Sequence, residues 1–349
     1  MKITCARATG SRPRLGFLGL GWIGRHRMNA ILDGGWAAAT AVADPNPEAR
    51  AAARALSGGA AVASLDELLD HELDGLVIAT PSALHAEQAI AALERGIPVF
   101  CQKPLGRTAA ETARVVAAAR DRDLLLGVDL CYRHTRAVQA IAAQIRGGAL
   151  GRIHAIRLTF HNAYGPDRPW FYRRSQSGGG CVIDLGVHLV DLALWLLEFP
   201  ELRSVSAQLS CAGAALGDDP EQCEDYAVAQ LQLSDGCVIQ LACSWRAPAG
   251  RDAVIDASFH GTEGGATLRN VDGSFYDFVA ELHHGTDTQI LAEPPDDWGG
   301  RAAIEWVSRL RAGRGFDPTA EGYVRVAEVL DALYSSTSTS TSTTIADPG

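Results

Sequence analysis

The chain contains no run approaching the roughly 18 to 20 apolar residues that a membrane-spanning helix needs, and Met1 to Pro13 lacks the apolar core of a secretory signal. Both absences lead us to expect a cytoplasmic protein, with residues 1–13 as a flexible leader. A concentrated basic face is missing too. The densest groups of arginine, Arg133 to Arg136 and Arg152 to Arg157, are interrupted by other residue types, and 31 lysines and arginines stand against 41 aspartates and glutamates, a net charge of -10. Nucleic acid and anionic membranes call for clustered positive charge, so neither is expected as a partner. Among Cys5, Cys101, Cys131, Cys181, Cys211, Cys223, Cys237 and Cys243 there is no CxxC pair. The usual spacings of a structural zinc site and of a redox dithiol are thereby excluded, no metal is expected, and the thiols are expected to be reduced. No internal repeat is visible. Ser335 to Thr344 is serine and threonine throughout; it has no apolar surface to bury, and residues 335–349 are expected to form a disordered tail.

What remains is the composition of an ordinary globular protein, 47% hydrophobic and 21% charged, whose 349 residues exceed one hydrophobic core. At roughly 150 residues per domain, two are expected. Arg14 to Leu18 reads as a short buried strand that runs into Gly19-Leu20-Gly21-Trp22-Ile23-Gly24, with a helix-like segment behind it. In this strand–GxGxxG–helix setting the first glycine permits a tight turn, the second lets main chain approach a pyrophosphate, and the third lets helix and strand pack closely. A second strand, Ala39 to Ala43, ends in Asp44, near the ~20-residue offset at which a carboxylate meets the adenine ribose hydroxyls. Asp44 therefore favours NAD over NADP. It also reads as the start of the Asp44-Pro45-Asn46-Pro47 turn, capping the helix behind it.

Strands and helices then alternate through a helix over Glu48 to Leu56, Leu65 to Leu69, a strand Gly75 to Ala79, a helix Leu84 to Arg95, a strand Pro98 to Cys101, a helix Thr108 to Arg120 and a strand Leu124 to Val128, the pattern of a parallel sheet covered on both faces. Ligands in such sheets lie at the carboxyl ends of the strands. Two ends carry notable residues: Thr80-Pro81-Ser82 with His85 one turn on, and Gln102-Lys103-Pro104. Lys103 reads either as a solvated surface lysine or as a proton-transferring group aimed into the ligand crevice, where desolvation would favour its neutral form.

In the second half, Gly178-Gly179-Gly180 gives way to an apolar segment reaching Leu197, the pattern of a loop turning into a buried helix. Four residues apart on it, Asp184 and His188 should share a face, a carboxylate fixing the tautomer of an imidazole; Asp191 continues the row. Gly151 to Phe160, Val205 to Leu209, Tyr226 to Leu233, Cys237 to Trp245, Val254 to Phe259 and Ala266 to Asn270 read as strands, with turns at Ser234-Asp235-Gly236 and Gly261-Thr262-Glu263-Gly264. The loop from His161 to Arg168, Asn162 included, is expected to contact substrate. Trp170 reads as a stacking platform or as core filling. Trp298 to Ala312 and Thr319 to Leu333 read as amphipathic helices that return to the first domain.

Three features together, the fingerprint with Asp44, a lysine-proline at a later strand end, and Gly-Gly-x-x-x-Asp-x-Gly-x-His-x-x-Asp, resemble the glucose-fructose oxidoreductase, inositol dehydrogenase and MocA family from about Arg14 to Tyr334. The resemblance implies an α/β protein: a Rossmann dinucleotide-binding domain over residues 14–130, then an α/β domain with a large, mostly antiparallel open sheet over 131–334, used for homodimer or homotetramer contacts. It implies hydride transfer between NAD and a sugar, inositol or related polyol. By motif, Lys103, Asp184 and His188 become the catalytic set, converging over the nicotinamide ring. Gly19, Gly21, Trp22, Ile23, Gly24, Asp44, Thr80, Pro81, His85, Gln102 and Lys103 become cofactor-binding, and Arg133, Asn162, Trp170 and Asp184 substrate-binding. Two departures stand out. Ser82 replaces a frequent asparagine. Gln102 replaces the glutamate of Glu-Lys-Pro, dropping a negative charge that would have partnered Lys103. Other readings of the pattern are an NAD-dependent glycosidase working by transient oxidation and elimination, and a non-catalytic NAD-binding protein.

Overall fold

The computed structural model describes residues 12–217 and 219–337. These pack as two units: the chain up to Thr135 together with Asp297–Tyr323, and Arg136–Asp296 together with the chain from Val324 onward. Most of the expected leader and tail thus lies outside the described residues. Pro13, at the leader's end, is buried, and its carbonyl accepts from Ala38 N at 2.9 Å.

The first unit holds six parallel strands, β1 (Arg14–Leu18), β2 (Ala38–Ala43), β3 (Ala60–Val62), β4 (Gly75–Ile78), β5 (Val99–Cys101) and β6 (Leu126–Val128). Their order is β3-β2-β1-β4-β5-β6, the doubly wound arrangement with its crevice at the carboxyl ends. Connecting them are α1 (Trp22–Asp33), α2 (Pro47–Ser57), α3 (Leu65–Leu69), α4 (Ser82–Glu94) and α5 (Ala109–Arg120). Side-chain caps start three of these: Asn46 accepts from Glu48 N, Ser64 from Glu67 N and Thr108 from Glu111 N. Three residues long, β3 gives too short a pattern to read from sequence.

The second unit begins with α6 (Arg136–Arg146) and β7 (Ile153–Asn162), followed by α7 (Arg174–Ser177), a π-helical turn over Val182–Gly186 and α8 (Val187–Leu196). Then come β8 (Leu202–Cys211), β9 (Ala214–Ala215), β10 (Tyr226–Leu233), β11 (Val238–Ser244), β12 (Ala253–Gly261), β13 (Gly265–Asn270), β14 (Phe278–His284) and β15 (Asp287–Ala292). All nine strands form one sheet, β15-β14-β13-β12-β7-β11-β10-β8-β9, in which β7 and β11 run parallel and the other neighbours antiparallel. The Rossmann unit and the open, mostly antiparallel sheet match the fold expected from sequence. Both expected turns close hairpins, Gly236 adopting φ 88° and Gly261 N donating to Gly264 O. β14 and β15 escaped the sequence reading. Arg174–Leu196 has the length and apolarity of a membrane span, contrary to expectation, but 89% of its apolar window is buried in the protein, as for a core helix.

The last two helices divide. α9 (Arg301–Arg311) belongs to the first unit, whereas most of α10 (Glu321–Thr337) belongs to the second. α10 also runs past Tyr334 into the expected tail, where Ser335 Oγ donates to Asp331 O at 2.9 Å and Ser336 Oγ to Leu333 O at 2.9 Å. The extra turn follows from a helix already nucleated by packing, since propagation costs far less than nucleation. On α9, Trp306 is 3% exposed and lies against β4 and β6, where Cβ atoms added to Gly75 and Gly127 would stand 2.6 and 2.7 Å from its ring. Glycine in the two strands that flank β5 makes room for the indole. Trp306→Ala is therefore expected to lower stability by about 3–5 kcal/mol in urea unfolding; a loss below about 1 kcal/mol would show that α9 is not part of this core.

Candidate active site

In the first unit the three glycines each meet a distinct constraint. Gly19 has φ +86°, and a Cβ there would stand 2.5 Å from the main chain of Ala79. At Gly24 a Cβ would come within 2.0 Å of Gly19 O, so α1 can pack here only without a side chain. At Gly21 a Cβ would meet nothing within 4 Å, leaving the main chain open to a ligand. Gly21 is also the N-cap of α1, with no side-chain cap and no acidic residue in the first turn. The uncompensated amides of Trp22, Ile23 and Gly24 offer positive potential to an anion such as a pyrophosphate. The Trp22 side chain is 62% exposed.

Asp44 ends β2 beside this loop. Its Oδ2 accepts from Leu20 N at 2.7 Å and its Oδ1 from Asn46 N at 2.8 Å. The sequence offered Asp44 as cap of α2; that cap is Asn46, because Asp44 spends one oxygen closing the turn before it. A carboxylate presents about four acceptor positions, so two main-chain bonds leave capacity for ribose hydroxyls.

At the ends of β4 and β5, His85 is 1% exposed, with Nδ1 2.7 Å from Pro104 O and Nε2 2.7 Å from Thr80 O. Burial lowers its pKa and the charge of Lys103 adds to this, against the pull of the two carbonyls. A neutral ring carries one N–H, so His85 donates to one of these two carbonyls at a time, which ties the Thr80 or the Pro104 main chain to α4. Thr80 Oγ1 donates to Gln88 Oε1 at 2.6 Å, and exposed Pro81 is the N-cap of α4. Gln102 is 9% exposed; its Nε2 donates to Asp129 Oδ2 and its Oε1 accepts from Lys103 N at 3.1 Å. A carboxylate, that of Asp129, thus lies one side chain beyond position 102, bonded to the glutamine that stands where the family has glutamate. Arg133 lies over the Tyr323 ring at 5.9 Å.

In the second unit, the motif helix starts on a buried carboxylate that sequence reasoning missed. Glu224 is 1% exposed and accepts from Gly180 N at 3.0 Å, Val182 N at 2.9 Å and Tyr334 Oη at 2.8 Å. Burial raises its pKa, and these donors oppose the rise. Gly180 is required here: a Cβ would stand 1.9 Å from Glu224 O. Asp184 then falls within the π-helical turn and not in a plain α-helix; such turns widen the helix locally and are frequent at functional sites. Trp245 Nε1 donates to Asp184 Oδ2 at 3.0 Å. His188 is 8% exposed and Asp191 1%.

Asn162, the last residue of β7, has a buried Oδ1 without a hydrogen-bond partner among the described residues. Trp170 stacks on Phe171 at 3.8 Å in a short 3-10 helix with no buried residue, so it does not fill the core. Tyr172 packs edge-on against Trp245 and lies under Arg246, which adopts φ 62°. No group of three or more histidine, cysteine, aspartate or glutamate side chains is placed to hold a metal among the described residues.

Glu224→Ala leaves three donors at the helix start without an acceptor. At about 1–3 kcal/mol for each unsatisfied group, a stability loss of at least ~3 kcal/mol is expected in urea unfolding; a loss under 1 kcal/mol would show that the helix does not depend on this carboxylate.

Residues 14–130 match an oxidoreductase family with an NAD-binding Rossmann fold, and residues 138–267 match the GFO/IDH/MocA C-terminal domain. Levoglucosan dehydrogenase of Pseudarthrobacter phenanthrenivorans is 32% identical over 245 residues, 64% of this chain and 63%, a little under two thirds, of that protein's length. A putative UDP-kanosamine synthase oxidoreductase subunit of Amycolatopsis mediterranei is 32% identical over 73% of this chain and 75% of its own. D-glucoside 3-dehydrogenase of Escherichia coli is 26% identical over 78% and 80%. Among solved structures, levoglucosan dehydrogenase with NADH and levoglucosan superposes with TM-score 0.80 at 26% identity, covering 94% of this chain and 98% of that one. GenD2 from gentamicin A biosynthesis, in complex with NAD, gives 0.81 at 25% identity, covering 97% and 98%. Matched in both of its domains, the chain belongs to the GFO/IDH/MocA oxidoreductase family, and its first domain is an NAD-binding Rossmann fold.

Proposed function

We propose that the protein is an NAD-dependent dehydrogenase acting on a hydroxyl-bearing ring carbon of a sugar or related polyol, inositols included. Bound NAD supplies the hydride acceptor at nicotinamide C4. The amides of Trp22, Ile23 and Gly24 would hold its pyrophosphate and the remaining acceptor positions of Asp44 its adenine ribose, where a 2′-phosphate would be repelled. His188 takes the proton of the substrate hydroxyl, Asp184 orients His188, and Lys103 donates to the reacting oxygen. Asn162 Oδ1 offers an acceptor to a neighbouring hydroxyl, and the Trp170–Phe171 pair an apolar face to a ring. The observation that carries the reading is the bond from Trp245 Nε1 to Asp184, which fixes a carboxylate four residues from a buried histidine on a helix locked at its start by Glu224. Relatives named for levoglucosan and for carbon 3 of glucosides support a pyranose-like substrate.

The test is turnover on a panel of anhydrosugars, glucosides, inositols, aldoses and sugar acids with both cofactors. Lys103→Met and His188→Ala are each expected to lower kcat by about 10²- to 10⁴-fold with NADH affinity kept within a few-fold. Unchanged turnover in either variant removes that residue from the mechanism, and NADPH binding tighter than NADH overturns the role of Asp44. Aglycone release from a chromogenic glycoside without net NADH formation would replace dehydrogenation by the eliminating glycosidase reaction.

We also propose that a second copy of the chain covers the open face of the nine-stranded sheet. α6 and α8 pack on the sheet, while Tyr226, Val228 and Ile290 are exposed at 42%, 36% and 52%. Arg157–Asp256 at 3.5 Å and Arg269–Glu281 at 3.0 Å form charged pairs between neighbouring strands. Light scattering should give a dimer or tetramer that Tyr226→Arg with Val228→Glu dissociates; a monomeric wild-type protein at micromolar concentration would dismiss the proposal.

A further inference from the structure

At the carboxyl ends of β5 and β6 lies a buried chain of polar side chains that the fingerprint does not require. Arg27, on α1 and 5% exposed, donates from Nε to Asp129 Oδ2 at 2.5 Å; Asp129 is 1% exposed. The same oxygen accepts from Gln102 Nε2, and Gln102 passes its other end to the main-chain amide of Lys103. Asp129 itself is pinned by its own amide, which donates to Cys101 O at 2.9 Å. Its second oxygen is buried and has no hydrogen-bond partner among the described residues.

Burying an ion pair of this kind is weak as a source of stability, since apolar residues of similar volume often serve as well or better. A chain of hydrogen bonds through a glutamine amide does something apolar packing cannot: it fixes direction. An amide has one donor end and one acceptor end, so with Asp129 ionised and held by Arg27, Gln102 has a single orientation, NH₂ toward the carboxylate and C=O toward Lys103 N. The Cys131 thiol reports that the charges share one neighbourhood: burial pushes it up to about 12, Asp129 adds to the rise, and Arg27 and Lys103 oppose it.

We propose that Asp129, clamped by Arg27, is a positioning residue for Lys103 and acts through Gln102. The proposal rests on the role given to Lys103 above. It also explains why position 102 holds an amide: a glutamate there would set two carboxylates within hydrogen-bond distance, and they could coexist only by sharing a proton.

The test is an exchange of the two groups, comparing Gln102→Glu, Asp129→Asn, the double variant Gln102→Glu/Asp129→Asn, and Gln102→Met, which keeps the volume, removes both bonds and adds no charge. Both glutamate and asparagine single variants are expected to lose about 10²-fold in kcat, with KM and NADH affinity within a few-fold of wild type. In Gln102→Glu the loss should shrink as pH falls from 8.5 to 5.5, because a protonated glutamate donates to Asp129 as the amide does. His26, Arg27, His85, Cys101, Cys131, Lys103 and Asp297 are the other charged or titratable groups around the cluster, and the single variants share them all, so a recovery confined to Gln102→Glu belongs to the introduced acid. In the double variant the asparagine atom that takes the place of Oδ2 faces both Arg27 and the glutamate and cannot accept from one while donating to the other, so the pair is expected to do no better than its worse half. A melting temperature measured on every variant separates misfolding from misplacement.

A readout independent of turnover uses the scarcity of lysine. Lys103 and Lys2 are the two lysines of the chain, so ¹³C-methylation of the protein gives two lysine signals, assigned with Lys103→Arg. The Lys103 signal should move in Asp129→Asn, in Gln102→Met and in the double variant. Wild-type activity in Gln102→Met and across the pH range in Gln102→Glu, a double variant as active as the wild type, or a Lys103 signal that ignores all three substitutions would each overturn the proposal. A wild-type protein that turns over nothing would instead overturn the dehydrogenase reading, leaving the signal shifts to decide the clamp.

Discussion

The carboxylate of Glu224 lies almost wholly out of water, and three donors make that tolerable: Gly180 N, Val182 N and Tyr334 Oη. Taking a carboxylate out of water costs several kcal/mol after relaxation, while each hydrogen bond to a charged group returns about 1.5–3 kcal/mol. Three such bonds offset the cost, and none can be lost cheaply. The start of the helix that carries Asp184 and His188 is thereby tied to the strand entering at Tyr226 and to α10, so the placement of these two side chains depends on segments distant in sequence. The first unit uses the same device: Asp44 grips Leu20 N inside the glycine loop, and Asp129 directs the side chain ahead of Lys103. In each case a buried or half-buried carboxylate sets the geometry of a turn that has too few side chains to set its own.

The glycines and the carboxylates are complementary. Gly24 lets α1 come so close to Gly19 O that a Cβ would stand 2.0 Å from it, and Gly180 approaches Glu224 O to 1.9 Å on the same measure. Close approach brings donors within reach of acceptors, and the hydrogen bonds then hold a main chain that glycine leaves conformationally loose. Gly21 is the exception. Among the described residues nothing comes within 4 Å of where its Cβ would stand, which in a strand–glycine loop–helix setting leaves the main chain open to approach.

The repeating apolar strands, the glycine loop and the Asp44 offset were legible because each is a local pattern with a fixed period or spacing. What could not be read is set by partners distant in sequence. The π-helical turn that holds Asp184 begins just after Gly180, whose amide is bonded to Glu224, 44 residues away. Trp245 looked like the end of a strand, and its indole bond to Asp184 spans 61 positions. Asp44 and Asn46 were both plausible caps, and the choice fell to Asn46 once Asp44 was committed to Leu20. β14 and β15 follow an irregular segment, and β15 is mostly exposed, so it shows little of the in-out alternation by which a strand is recognised.

One signal was present in the sequence from the start. The chain uses 29 arginines and two lysines, so wherever a plain surface cation is wanted, arginine fills the place. A lysine ending a strand in such a chain is poorly explained as a solvated charge, the role its arginines already serve throughout. The two side chains differ in one chemical respect that matters at an active site: guanidinium stays protonated at any working pH, whereas an amine can give up its proton when its surroundings favour the neutral form. Lysine at position 103 stands in a loop contacted by His85 and reached by the Arg27–Asp129–Gln102 chain, and it is on this position that the proposed role of Lys103 rests. The rarity of the residue type, set beside its position, carries more than either does alone.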